Sequence, residues 1–350
     1  MISKQKFIYR IKTEVFPDLI QTEKGRKIAL FIGSCWVAAA LLFAFFFRGM
    51  ALDFESRNGN NPPARGYFTI IVLLLSLALF VWKRYVKRQK KKFSPIFLRF
   101  LGDLKNTQSI IDRLLLRYSC LFSEFDSVNN DDCISGVFND TEFSIIETKL
   151  IRGSGRDKHT VFSGVCIDIP MKTSVSGYTL LFNTKIPQRF PVLKKITLED
   201  VSFGKNYQIY SDNQINVRVL LTPAFMERLN ELKKCFQNKR VDVSFFGNHA
   251  LFAIHTHENL FESYSIFRPV TRIKTYTKFY DEIKVIHDMM EVLHLNNKSL
   301  PAEASFNTAL YKQISLKKKN GMYLPLLASI FISIVMIMVF LALIIVLAAL

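Results

Sequence analysis

Three uncharged apolar runs constrain this chain more than any other feature. Ile28 to Phe47 is 20 residues without a charge, about 30 Å as helix, which matches a hydrocarbon core. Tyr67 to Trp82 adds 16 residues, with an aromatic side chain at each end where interfacial anchors are expected. Met322 to Leu350 gives 29 more, enough to span with tilt. The first run follows 27 mostly polar residues and exceeds a signal-peptide core, so it reads as an uncleaved anchor. For the shorter second run, a buried core helix is the competing reading.

Charge placement orients these runs. The formal charge is +18, and residues 1–92 alone hold 17 Lys+Arg against 5 Asp+Glu. Lys4, Lys6, Arg10, Lys12, Lys24, Arg26 and Lys27 precede the first run, and Lys83, Arg84, Lys87, Arg88, Lys90, Lys91 and Lys92 follow the second. Between them, 48–66 carries only Arg48, Arg57 and Arg65, offset by Asp53 and Glu55. The asymmetry predicts a cytoplasmic N-terminus, an external 48–66 loop and a cytoplasmic region from 83 onward. Lys317–Lys319 then start the third span inside and put Leu350 outside. Basic clusters that abut apolar runs are a topology signal, and nucleic acid is excluded as the partner. Cys35 lies in the first run, and Cys120, Cys133, Cys166 and Cys235 form no CxxC, so neither a disulfide framework nor zinc is indicated.

The hydrophilic region is patterned for an α+β fold. Ser94–Pro95 carries a helix-start signature, and apolar residues from Phe97 to Tyr118 recur at helical spacing. An amphipathic helix over 95–118 is expected, docked on the following domain or, as the alternative, lying on the membrane beside the basic run 83–92. Ile134–Phe138 and Glu142–Ile151 flank Asn139–Asp140 as a hairpin; Val161–Ile169, Tyr178–Asn183 and Tyr207–Tyr210 are further strands. Thr222–Pro223 opens a helix that buries Phe225, Met226, Leu229, Leu232 and Phe236. Val241–Phe245 and Ala250–His255 read as a hairpin turning at Gly247–Asn248, and a last helix covers about 275–295. Strands interrupted by helices predict a mainly antiparallel sheet. The expected boundaries are a basic N-terminus over 1–27, a transmembrane hairpin over 28–82, the basic run and amphipathic helix over 83–118, the cytoplasmic domain over 119–297, a linker over 298–321 and a C-terminal transmembrane helix over 322–350.

Leu193-Lys-Lys-Ile-Thr-Leu-Glu199, Tyr207-Gln-Ile-Tyr-Ser-Asp-Asn-Gln214 and Leu220-Leu-Thr-Pro-Ala-Phe-Met-Glu-Arg-Leu229 resemble a bacterial membrane-protein family known as the domain-of-unknown-function 3137 family. Phe162–Gly164, Phe190–Pro191 and Leu260–Glu262 fall in similar order. The resemblance covers roughly 130–295 plus the paired N-terminal spans. It implies an inner-membrane setting and no catalytic residues; the third span is an addition to the arrangement it implies.

Candidate chemistry is sparse. His255 and His257, two apart on a strand, would share a face, and with Glu258 could hold zinc and a water. A solvated strand end is the plainer reading. Glu291-Val-Leu-His294 with His287 matches one di-iron half-motif, but no second Glu-x-x-His exists in the chain. Gly153-Ser-Gly155-Arg156 could offer N–H groups to a phosphate, without Walker spacing. No G-x-S-x-G occurs, and Cys166 in a strand pattern defaults to core packing.

The leading reading is an integral, multi-pass membrane protein acting as an interaction or scaffold protein, with the cytoplasmic α+β domain as its binding module. Its implied partners are the lipid bilayer, other membrane or cytoplasmic proteins and a second copy of the chain; no cofactor is implied. The alternative is a membrane-tethered enzyme using a metal at His255, His257 and Glu258. A channel or transporter subunit ranks third, because the three runs hold no Asp, Glu, Lys, Arg or His.

Overall fold

The computed structural model describes residues 1–58, 64–107, 111–138, 141–184, 192–257 and 265–297, with backbone alone at 49–58, 64–67, 156, 176 and 294–297. The C-terminal run 322–350, the linker 298–321, the Asn139–Asp140 turn, Phe190–Pro191, Glu258 and Leu260–Glu262 lie outside them. The chain forms two compact units, one from 1–106 with 259–284, the other from 107–258 with 285 onward. The expected single domain over 119–297 is thus divided, because 265–284 packs with the N-terminal helices.

The first unit is helical. α1 (Lys4–Arg10), capped by Ser3, passes through a π turn (Ile11–Val15) into α2 (Phe16–Asn58). The widened turn directly precedes Pro17, whose ring would clash with the Thr13 carbonyl of a regular helix. α3 (Ala64–Leu101) returns antiparallel: Gly33, Thr22 and Asp18 of α2 meet Trp82, Tyr85 and Lys92 in turn. At 43 and 38 residues these helices are about 65 and 57 Å long, well beyond a hydrocarbon core. Phe7, Ile11, Val15, Leu19, Thr22 and Arg26 form one buried stripe at helical spacing. Phe7 packs on Tyr280, and Phe97 on Tyr276, with ring centroids 5.3 and 4.7 Å apart. Tyr276 and Tyr280 belong to α8 (Ile273–Asn297), whose first half lies in this unit.

One expectation fails here. No helix runs over 95–118: α3 continues through Ser94–Pro95 and stops at Leu101. Phe93 and Phe97, four apart and both buried, stack across the proline and hold the helix on its packing face. Pro95 itself is exposed, so water can take the carbonyl bond it forfeits. Gly102, at φ +146°, then leads the chain out to β1 (Lys105–Thr107), and a separate short α4 (Arg113–Tyr118) starts at an Asp112 cap.

The second unit is built on an antiparallel sheet. Its strands among the described residues are β1, β2 (Ser127–Phe138), β3 (Thr141–Arg152), β4 (His159–Phe182), β5 (Lys194–Ile196), β6 (Gln208–Ser211) and β7 (Val241–His255), ordered β1-β2-β3-β4-β6-β5 with β7 on β4. Val161–Ile169 and Tyr178–Asn183, expected as separate strands, are the two halves of β4. That strand pairs β3 with its first half, β6 with its second, and β7 with both.

β7 folds back on itself at Gly247–Asn248, the hairpin turn expected there: the His255 N–H donates to the Arg240 carbonyl at 2.8 Å, and the Phe246 and His249 rings stack beside the turn. Gly247, at φ +52°, pairs with Val175 between two register shifts. The two arms of this hairpin fix which side chains share a face. Phe245 and Phe252, seven apart, both meet Phe225 of α7 (Pro223–Cys235), while Phe246 joins Leu251 and Ala253 in the opposite core. That core also takes Leu116, Phe122, Phe162, Cys166 and Phe182. The Thr222–Pro223 expectation holds: Thr222 Oγ1 accepts from Phe225 N at 3.3 Å, with Pro223 at the first turn. Short helices α5 (Val201–Asn206) and α6 (Gln214–Leu220) start at Asp200 and Asn213 caps.

Candidate functional site

Two features stand out, one in each unit. In the helical unit, α2 and α3 present large apolar side chains outward: Phe45 is 77% exposed, and Phe31, Leu41, Phe46, Phe68, Leu73 and Phe80 are similarly open. Both helices are long and apolar enough to cross a membrane by length and composition. Small residues let them approach: a Cβ on Gly33 would collide with the Trp82 indole. Exposed Lys24, Lys27, Lys83 and Arg84 lie at one end of the apolar surface.

At that same end the segment from Ser265 to Val270 is clamped to α2. Arg26 Nη1 donates to the Ile266 carbonyl at 2.6 Å, and the Val270 N–H donates to Glu23 Oε2 at 2.9 Å. Arg26 and Glu23 also pair with each other at 2.7 Å. Each side chain thereby satisfies a backbone group that the turn leaves open.

In the sheet unit, Asp242 is a fully buried carboxylate. It accepts from Arg240 Nη2 at 2.6 Å, Arg240 Nε at 2.8 Å, the Asn183 N–H at 2.9 Å and His255 Nε2 at 3.0 Å. Burial alone would raise its pKa, but the hydrogen bonds from His255 and Arg240 outweigh that and hold it below the ordinary value. The nearby Tyr207 hydroxyl is buried and its pKa is pushed up, by desolvation first and the Asp242 charge second.

This geometry relocates the expected metal candidates. β7 ends at His255, so the alternation that would place His257 on its face has lapsed. The Thr256 N–H donates to the Ser163 carbonyl at 2.9 Å, one step beyond the last paired residues of β4 and β7. His255 is engaged by Asp242 and lies edge-on to Phe162, His257 is exposed, and Glu258 is outside the described residues. His287 packs on the Phe138 ring at 4.1 Å, and burial lowers its pKa; Glu291 is exposed. The Gly153 N–H that might have met a phosphate donates instead to Asp126 Oδ2 at 2.7 Å. Cys166 is fully buried, and desolvation pushes its thiol up, away from nucleophilic reactivity.

One grouping escaped the sequence reading. Asp131, Asp132 and Glu147 bring their carboxylates within 4.8 Å of one another where β2 bulges against β3 between Asn130 and Cys133. Adjacent Asp131 and Asp132 were visible in the sequence; the bulge that gathers them with Glu147 was not. A small cleft beside Met171, Met290 and Leu293 encloses about 20 Å³, room for little more than one water.

The fold thus defines a class: an antiparallel α+β unit joined to a hairpin of two long apolar helices. Within it, residues 160–295, from β4 into α8, match the family model described as "Protein of unknown function (DUF3137)", so the family resemblance holds over that stretch. No curated protein matches the chain. The crystal structure of the mycobacterial trehalose monomycolate transport factor A, TtfA, aligns at 11% identity and a TM-score of 0.37, over 63% of this chain and 99% of that one. A likeness of that size carries no argument about this chain's fold or activity.

Proposed function

We propose that the chain is an integral membrane protein that holds an α+β interaction module at the cytoplasmic face of a bilayer. The outward-facing apolar surface of α2 and α3 is the observation that carries this. A soluble helix pair would bury such side chains in its own core, and monomeric soluble proteins seldom expose contiguous apolar patches above a few hundred Å². Hydrocarbon is the solvent that suits them, and the cations at 24–27 and 83–92 favour the cytoplasmic side. On this reading 48–66 is external, the chain is multi-pass, and the 322–350 run crosses again.

Interaction rather than catalysis is supported by how the reactive groups are used. His255, the Gly153 N–H and the Cys166 thiol are each committed to a structural partner or buried in the core. Partners of the module would be other membrane or cytoplasmic proteins, or a second copy.

Alkaline carbonate extraction of membranes carrying the full chain tests the anchor. The protein should stay in the pellet, and removing 28–82 should leave far less there; release of the intact chain would defeat the reading. Metal analysis of the detergent-purified full chain tests the module. Less than about 0.1 equivalents is expected, since structural zinc binds strongly enough to survive purification. Stoichiometric metal lost on His255→Ala with His257→Ala would favour the enzyme instead.

A further inference from the structure

We infer that the turn Ser265–Val270 is an interfacial membrane element, its Phe267 side chain lying in the lipid at the rim of the helical hairpin. The inference rests on the spanning reading of α2 and α3 and adds a second, non-helical point of lipid contact. Phe267 is 66% exposed, and its ring stands edge-on to Trp82 with centroids 5.3 Å apart. Trp82 in turn covers Gly33, which lies six residues, about 9 Å of helix, beyond Lys27, the last charge before the uncharged run. The turn therefore reaches past the Lys24–Lys27 and Lys83–Arg84 charges to the apolar level.

The turn is also built to stay there. Its backbone is fixed to α2 by Arg26 at Ile266 and Glu23 at Val270, and Ile266 and Val270 are buried while Phe267, Arg268 and Pro269 face outward. Nothing in that clamp uses the Phe267 ring. An aromatic side chain beside Trp, followed directly by an arginine, has the chemistry of the headgroup boundary: ring toward acyl chains, cation toward phosphate. The occupant of this surface is the bilayer.

Nitroxide depth measurements on the full chain in phosphatidylcholine–phosphatidylglycerol vesicles test this. Cys35 and Cys235 are replaced by Ser, the other native thiols being buried, and one label is placed at a time. Labels go at Phe267→Cys, at Arg268→Cys and at Lys149→Cys on the exposed side of β3; a further sample retains native Cys35. The ratio of oxygen to nickel-chelate accessibility should be highest at Cys35, intermediate at 267 and lowest at 149, with 268 between 267 and 149. If Cys35 is deep while 267 and 268 both match 149, the interfacial turn is overturned and the spanning hairpin survives. If Cys35 itself matches 149, the spanning reading falls and takes the turn with it.

Discussion

The two units use the same kinds of side chain in opposite ways. In the sheet unit Phe225 sits between Phe245 and Phe252 and is wholly buried; in the hairpin Phe45 is 77% exposed. A phenylalanine in the first setting stabilises by leaving water and filling space. In the second it can do so only if the surroundings are not water. The difference teaches that apolar content alone does not identify a core: periodicity and burial in the sheet unit, against a continuous uncharged run in the hairpin, separate a protein interior from an outward-facing apolar surface.

The largest effect should come from Phe225→Ala, about 4 kcal/mol lost from the sheet unit, measured by denaturant unfolding of the detergent-purified chain. The matched change Phe45→Ala should stay within about 0.5 kcal/mol in the same measurement. Equal losses would erase the contrast between the two regions.

Asp242→Asn comes next, at about 2 kcal/mol, because the partly exposed Arg240 and His255 lose their anion and the Asn183 N–H its charged acceptor. The sign with pH follows from its depressed pKa. Its contribution is present above the ordinary carboxylate value of about 4 and is lost as pH falls through the lower native value. Acid unfolding should therefore be shallower in the variant; an unchanged acid limb would show that the buried site contributes no pH dependence.

In the helical unit the sign reverses. Glu282 is buried, and desolvation raises its carboxyl to about 7 against the opposing pull of Lys278. The neutral form suits the fold, so its contribution is complete below about 4.5 and is lost as pH rises toward about 7. Glu282→Gln should stabilise by on the order of 2 kcal/mol near pH 8 and change little near pH 4, read as a melting-temperature difference. Gly33→Ala should cost about 1–2 kcal/mol through its collision with Trp82. No loss there would mean the helices approach elsewhere.

Legibility followed the range of the forces involved. The apolar runs of α2 and α3 and the Thr222–Pro223 cap are local, and both were read correctly as helical. Ser94–Pro95 offered the same local signature and failed, because Phe93 and Phe97 pack on one face and carry α3 across the proline. Leu221, by contrast, has already left helical geometry before Thr222, so the second cap had a helix to start. Gly247–Asn248 read as a hairpin turn and is one, because a two-residue turn with glycine at positive φ is a local signal. The Asp242 site was missed because its partners beyond Arg240 are distant in sequence. Arg240 and Asp242 are near neighbours, but His255 and the Asn183 N–H arrive through β7 and β4. The clamp of Glu23 and Arg26 on 265–270 spans some 240 residues and has no local sign.

The sidedness of the hairpin is the central claim, and labelling in intact cells tests it most directly. On the Cys35→Ser, Cys235→Ser background, Asn60→Cys, between the end of α2 and the start of α3, is compared with Lys205→Cys, an exposed position on α5. A membrane-impermeant maleimide should modify 60 in intact cells, and 205 only after the membrane is opened. Labelling of 205 in intact cells, with 60 protected until lysis, would contradict the account.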